Sequence, residues 1–159
     1  MTTAFNATKD QIGRYVADAS TGGYPEIGLY LMRLSEADAT LADRDTLADI
    51  WAAAGSVNLE ANFTNYVVKL LASPTRTVDD VNNRVLLGGA AVGVGLAITY
   101  TAAGGATNNT LVKALWCYIP TSGAATSLIL PLMATNVSAS TDGNDLVLTL
   151  NTDGFARVL

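Results

Sequence analysis

Ile27-Gly28-Leu29-Tyr30-Leu31-Met32-Arg33-Leu34 is apolar at both alternating sets of positions. A strand with one face in water alternates apolar and polar residues, so this run predicts a strand covered on both sides. Upstream, Thr8-Lys9-Asp10-Gln11 has the pattern of a helix capping box. Ile12, Tyr15, Val16 and Ala19 follow at helical spacing, and Ser20-Thr-Gly-Gly23 ends the helix. Downstream, Leu47, Ile50, Trp51 and Ala54 line one face of a second predicted helix that Gly55 terminates. Asp43, Asp45 and Asp49 load its N-terminal part, where acids suit the positive end of the helix dipole.

From Asn62 onward the pattern turns to β. Strands are predicted at 65–72, 76–79, 84–87, 96–101, 111–119, 127–132, 135–140, 146–150 and 155–159. Ser73-Pro74, Asn82-Asn83, Gly104-Gly105, Thr121-Ser-Gly123, Asp142-Gly143 and Asp153-Gly154 punctuate them. Short strands with turn signals at such spacing suggest a sandwich or barrel. Asp142-Gly143-Asn144 between two strands reads as a hairpin, because Gly takes positive φ without steric cost. The Thr- and Ala-rich segment 101–110 reads as the longest loop. The expected fold is α+β and mainly β: an antiparallel β-sandwich or barrel with two N-terminal helices. At 159 residues the chain reads as one domain, with an N-terminal helix and strand layer over 1–60 and a β-rich part over 61–159.

Charge is distributed unevenly. The first 80 residues hold six basic and eleven acidic groups, whereas the last 79 hold only Arg84, Lys113, Asp142, Asp145, Asp153 and Arg157. A soluble surface usually has about 25–35% of its residues charged, so a β half this neutral points to cover by a partner, most simply another copy. The net charge of −5, with no basic stripe, argues against nucleic acid. Cys117 is the only cysteine and lies in the apolar run 111–119, so no intrachain disulfide forms and a buried thiol is expected. The N-terminus shows no secretion signal. The uncharged stretch 85–100 is shorter than the roughly 20 residues of a membrane-crossing helix and is broken by Gly88, Gly89, Gly93 and Gly95, so no membrane role is expected.

Candidate chemistry is sparse. The sequence has no histidine, which removes His-based triads and His zinc sites, and one cysteine cannot build a thiolate site. Asp45 and Asp49 lie one helical turn apart and can share a face, but acids near a helix start are usually solvated. Asp79-Asp80-Val81-Asn82-Asn83 lacks the central Gly and closing Glu of a calcium loop and reads as a turn between strands. The cluster Gly88-Gly89-Ala-Ala-Val-Gly93-Val-Gly95 matches neither a dinucleotide fingerprint nor a P-loop, and opens no helix. Trp51 and Trp116 sit on apolar faces and read as core. No cofactor or metal is expected, and the chain reads as no enzyme.

An ordered series of motifs runs along nearly the whole chain. It comprises Phe5-Asn6-Ala7-x-Lys9, Ala37-Asp-Ala-Thr-Leu-x-Asp43-x-Asp45-Thr-Leu-Ala48 and Glu60-Ala-Asn-Phe-Thr-Asn-Tyr66. Thr77-Val-Asp-Asp-x-Asn-Asn-Arg84, Ala103-Gly-Gly-Ala-Thr-Asn-Asn-Thr-Leu-Val-Lys113 and Cys117-Tyr118 follow. Ile129-x-Pro131-Leu132, Thr141-Asp-Gly-Asn-Asp-Leu146 and Gly154-Phe155-x-Arg157 close it. In this order and spacing the chain resembles a family of virion structural proteins of tailed bacteriophages, especially those of actinobacteria. The sequence departs from that pattern at Ile119-Pro120, where acidic residues are expected, and at Met133-Ala-Thr135, where His is expected. Those departures leave no basis for carrying over a metal or pH-linked role.

The resemblance implies a non-enzymatic particle component of the minor capsid or head decoration type, made in the host cytoplasm and carried on the capsid surface. Its expected partners are itself, as a homotrimer, and the major capsid protein. The residues expected in contact surfaces are the N-terminal arm Thr2, Thr3, Ala4 and Phe5, the glycine stretch with Val92, Gly93, Val94 and Gly95, and the loop with Thr101, Asn108 and Asn109. Two alternatives stay open at this level. One is a minor tail or tail-tip protein; the other is a β-sandwich carbohydrate-binding module for host attachment, with Tyr100, Trp116 or Tyr118 as stacking platforms.

Overall fold

The computed structural model describes residues 2–8, 10–20, 23–71, 74–79, 84–89, 97–149 and 156–158. In chain order the elements are β1 (Thr2–Ala4), α1 (Ile12–Ala19), β2 (Glu26–Leu34), α2 (Asp38–Ala42), α3 (Leu47–Trp51), β3 (Leu59–Glu60) and β4 (Lys69–Leu71). Then come β5 (Pro74–Asp79), β6 (Arg84–Gly89), β7 (Ala97–Tyr100), β8 (Thr110–Ile119), β9 (Leu130–Ser140), β10 (Leu146–Thr149) and β11 (Ala156–Val158). Among the described residues the protein is mainly β, with antiparallel sheets and few helices.

The doubly apolar run at 27–34 organises the architecture. As β2 it pairs with β8 from Glu26 to Met32 along one edge, and with β4 and then β3 along the other. β8 pairs with β9 and β9 with β1, giving the order β1-β9-β8-β2-β3 with β4 also on β2. Residues 27–32 are all buried, as a strand covered on both sides requires. One face carries Ile27, Leu29, Leu31, Ala114 and Trp116 against Ile12, Val16 and Ala19 of α1, with Phe63 and Tyr100. The other carries Tyr30, Met32, Leu115 and Cys117 against Phe5, Leu41 of α2, Leu47 and Ile50 of α3, and Ile129. Burying a large apolar side chain is worth about 1.5–3 kcal/mol, so the five on β2 contribute on the order of 10 kcal/mol before chain entropy.

Outside this sheet, β7 and β10 form a two-stranded ribbon whose Ile98, Leu146 and Leu148 pack on the α1 side of the core. β5, β6 and β11 form a third sheet, ordered β11-β6-β5. The strands flanking the Asp79–Asn83 segment thus pair antiparallel, Asp79 opposite Arg84.

Several local expectations are corrected. Helix α1 begins at Ile12 with Gln11 at its N-cap and no side-chain cap. Thr8, expected to cap it, instead donates its buried hydroxyl to the Pro131 carbonyl at 2.7 Å. A hydroxyl drawn into the core must keep a partner there, which outweighs a solvent-side cap. Of the second predicted helix only the single turn α3 forms, and α2 precedes it where no helix was expected, so among the described residues three short helices stand in place of two. Asp43 ends α2 as its C-cap, and the capping box that starts α3 is Thr46 with Asp49. Ala54 is exposed in a 3-10 turn, leaving Leu47 and Ile50 as the buried pair. The strands predicted at 127–132 and 135–140 are one strand, β9, preceded by a 3-10 turn at Thr126–Leu128. Asn65 lies in a turn with φ 69°, so β4 is only Lys69–Leu71.

The segment 142–144 forms no hairpin, because β9 pairs with β8 and β1 while β10 pairs with β7. Gly143 takes φ 98° and Asn144 N–H donates to the Asp142 carboxylate at 3.0 Å, so the turn itself forms. It is diverted by the neighbouring loop: Gly143 N–H donates to the Ala103 carbonyl and Ala103 N–H to the Asn144 carbonyl, both at 2.8 Å. The chain therefore crosses from the central sheet to the ribbon.

Candidate functional site

The contact residues expected from sequence have different fates. Val92, Gly93, Val94 and Gly95 lie outside the described residues. Phe5, expected on an outward arm, is 0% exposed in the chain's own core. Its backbone N–H extends the β1–β9 pairing by donating to the Leu132 carbonyl at 3.2 Å. An apolar ring beside a deep, partnerless hydrophobic slot gains more inside than out, and the slot here is lined by α2, α3 and β9. Thr2, Thr3 and Ala4 pair with Thr135, Ala134 and Met133. The Thr3 hydroxyl hydrogen-bonds Asp38, and Ala4 packs on the core.

Thr101 and Asn108 are exposed, and Asn109 is half-buried. They belong to a loop end tied together by carboxamides and hydroxyls. Asn109 Nδ2 donates to Asn62 Oδ1 at 3.0 Å, while Asn109 Oδ1 accepts from Asn62 N–H at 2.7 Å. Asn108 Oδ1 accepts from Gly105 N–H at 2.7 Å, and Asn65 Nδ2 donates to the Ala102 carbonyl at 2.9 Å. Thr64 accepts from Thr107 N–H, and Asp145 from Ala102 N–H. Three loops thus form one fixed polar end. Gly104 is required in it: φ is 99°, and a Cβ would overlap Asn108 Oδ1 and press on Asp142 N at 3.1 Å.

Beneath this end lies an aromatic cluster. Phe63 meets Tyr66 and Tyr100 edge-on at 5.2 and 5.7 Å, and Lys69 Nζ lies 5.1 Å from the Tyr100 ring centroid. Tyr66 donates to Glu60 at 2.9 Å and accepts from Leu31 N–H at 3.1 Å. Burial pushes the Glu60 carboxyl above its usual range, partly offset by the Tyr66 hydrogen bond. Tyr100 and Trp116 are buried and Tyr118 packs on Tyr15 at 4.7 Å, so these rings form no exposed stacking platform for a sugar.

The outward positions of the ribbon and of the C-terminal part of β9 are neutral. On the ribbon, Thr99 and Val147 lie opposite each other and are exposed, as is Thr149. On β9 the exposed positions are Asn136, Ser138 and Ser140. Val137 and Ala139 alternate with them and face the core on the ribbon side, so the two neutral surfaces point in different directions.

A site that sequence reading missed lies under α2. Lys113 stands directly opposite Asn136 in the β8–β9 register and is only 6% exposed. Its Nζ donates to Asn136 Oδ1 at 2.6 Å and makes an ion pair with Asp38 of α2. The hydrogen bond from Lys113 holds the Asp38 carboxyl below its usual range despite partial desolvation. The available signal was a lone cation inside the apolar run 111–119, at a core-facing strand position. Nearby, Glu36 holds Arg44 through two bonds of 2.9 and 2.8 Å and accepts from the buried Asn58 at 2.8 Å. The Arg44 and Asn58 hydrogen bonds lower the Glu36 carboxyl against the opposing effect of burial.

Asp45 precedes the Thr46 cap and Asp49 is engaged by it, so the two acids do not form a pair on one helix face. Among the described residues no group of three or more His, Cys, Asp or Glu is placed to hold a metal ion. Cys117 is fully buried, and burial pushes its thiol far up, away from thiolate chemistry. Compared with known proteins, the chain matches no family model, and no curated protein or solved structure is significantly similar to it.

Proposed function

We propose that this chain is a non-enzymatic component of a tailed-phage particle, a capsid decoration protein that binds the outer capsid surface as an oligomer and reinforces contacts between capsomers. Its β layers act as a sandwich, the ribbon lying over one face of the central sheet. The carrying observation is the neutrality of the outward positions on the ribbon and β9: Thr99, Val147, Thr149, Asn136, Ser138 and Ser140 carry no charge. Charge is depleted at the centres of protein interfaces, and an uncharged face avoids the large cost of burying an unpaired ion, its Thr and Ser hydroxyls being offset where they hydrogen-bond the partner. The motif series from Phe5 to Arg157 gives that adhesion its particle context.

Light scattering across a dilution series, followed by cosedimentation with empty heads, tests the reading. The expected result is a stable oligomer, with a mass three times the chain's 16.5 kDa for a trimer, that pellets with heads. Val147→Lys places a charge on the ribbon face and should weaken assembly or head binding while circular dichroism stays native. A monomer that ignores heads refutes the reading. Binding to tails in place of heads makes the chain a tail component.

A further inference from the structure

Lys113, Asn136 and Asp38 come from three elements and meet at one nitrogen. Cross-strand pairing sets the first two opposite each other on adjacent strands, on the same side of the sheet. Lys113 Nζ donates to Asn136 Oδ1 at 2.6 Å, which puts the contact one bond removed from the carboxamide carbon. Asp38 contacts the same Nζ from α2 and is itself hydrogen-bonded by Thr3 of β1. A primary amine, a carboxamide carbon and a carboxylate able to move protons are the reactants and the catalyst of an intramolecular transamidation. Lys113 is nearly closed off from water, whereas Asn136 is exposed at its outer side, which gives a leaving group a way out.

We propose that Lys113 and Asn136 form an isopeptide bond in the folded protein, with Asp38 as the catalytic residue. The reacting state is a minor one: Asp38 takes a proton from the Lys113 ammonium against the pair's own preference for the ionised forms, leaving a neutral amine and a carboxylic acid. The amine lone pair attacks Asn136 Cγ while the carbonyl electrons move to Oδ1, which Asp38 protonates. The attacking nitrogen then returns a proton to Asp38. Collapse of the tetrahedral carbon re-forms the carbonyl and breaks the bond from Cγ to Nδ2. The nitrogen takes up protons as it leaves, and departs as ammonium. Lys113 Nζ ends bonded to Cγ with one hydrogen, Asp38 ends ionised as it began, and no oxidant or cofactor is consumed. Holding reactants in place is worth effective concentrations on the order of 10⁵–10⁸ M in well-oriented intramolecular cases, which lets an unactivated amide react slowly without a separate enzyme. The product is a covalent tie between β8 and β9, the two most extensively paired neighbours of β2 and β1.

Intact mass and tryptic mapping of the full chain read this directly. Trypsin cuts after Arg84, Lys113 and Arg157, so unreacted protein gives peptides 85–113 and 114–157. The linked protein resists cleavage at Lys113 and gives a single peptide spanning 85–157, lighter by one ammonia. Asn136→Ala and Asp38→Asn should each restore the full mass and the cut at Lys113. Circular dichroism reports whether each variant folds, and the wild-type mass decides the matter if neither does. Full mass in folded wild-type protein after prolonged incubation overturns the proposal and leaves a plain ion pair. Loss of one water in place of ammonia also overturns it, since that is condensation of Lys113 with Asp38.

Discussion

Alkaline pH should unfold this protein with a steepness set by four acids in or against its core. Burial raises the phenols of Tyr30, Tyr66 and Tyr100 and the thiol of Cys117 above their ordinary values, with smaller contributions from neighbouring acidic groups. In the unfolded chain a thiol ionises near pH 8.5 and a phenol near pH 10. Because the folded values are raised, the stability these groups contribute is intact below the unfolded pKa and is lost as pH rises past it. Above about pH 10 the unfolded state releases up to four protons that the folded state retains, and each costs about 1.4 kcal/mol per pH unit. The slope is therefore about 5–6 kcal/mol per unit, enough to exhaust a typical stability of about 5–15 kcal/mol one to three units above pH 10. The assay is tyrosinate absorbance recorded with far-UV circular dichroism during a pH titration. Three of the six tyrosines should ionise only as the dichroism collapses. Tyr100→Phe should lower the slope by about 1.4 kcal/mol per pH unit. It should not destabilise at neutral pH, because among the described residues the Tyr100 hydroxyl is buried without a hydrogen-bond partner. Ionisation of all six tyrosines with native dichroism refutes the reasoning.

Three further outcomes follow from the same structure. Glu36, and Asp38 while Lys113 keeps its ammonium, have lowered values, so their stabilisation holds at neutral pH and is lost as pH falls through their folded pKa; Glu60 has the opposite sign, and Glu60→Gln should raise the neutral-pH melting temperature while Asp38→Asn and Glu36→Gln lower it. Phe5→Ala should cost about 3–5 kcal/mol in urea unfolding, against the near-zero cost of an outward arm residue. Gly104→Ala should cost about 1–3 kcal/mol and loosen the loop end, seen as faster amide exchange at Gly105 and Asn109 with the β2 amides unchanged.

The sequence carries the core more openly than the site. A run apolar in both alternations has one physical solution, and β2 adopts it. The spacing of Ile12, Val16 and Ala19 likewise reports a helix face without reference to anything distant. Caps and turns fare worse because competing hydrogen bonds come from far along the chain: Thr8 finds Pro131, and Gly143 finds Ala103. Asp43, Asp45 and Asp49 show the same limit, since local spacing cannot show that the chain breaks at Arg44 and restarts with the Thr46 box. The Lys113 site was least legible. Its three members lie 75 and 23 residues apart, and only the β8–β9 register and the position of α2 unite them.

The pairing order also governs how this chain meets the ribosome. β1 has its partner in β9, and β2 its longest partner in β8, so the first two strands wait until residues beyond 130 and 110 have been made. At about 5–20 residues per second, β2 stays unpaired along its β8 edge for several seconds at least. Throughout that wait, six consecutive core residues from Ile27 to Met32 lack most of their cover. Folding dominated by such distant pairings is slow, and the nascent chain is most open to aggregation just before β8 emerges. The demand for chaperones therefore falls during translation itself, in the interval between the synthesis of β2 and that of β8.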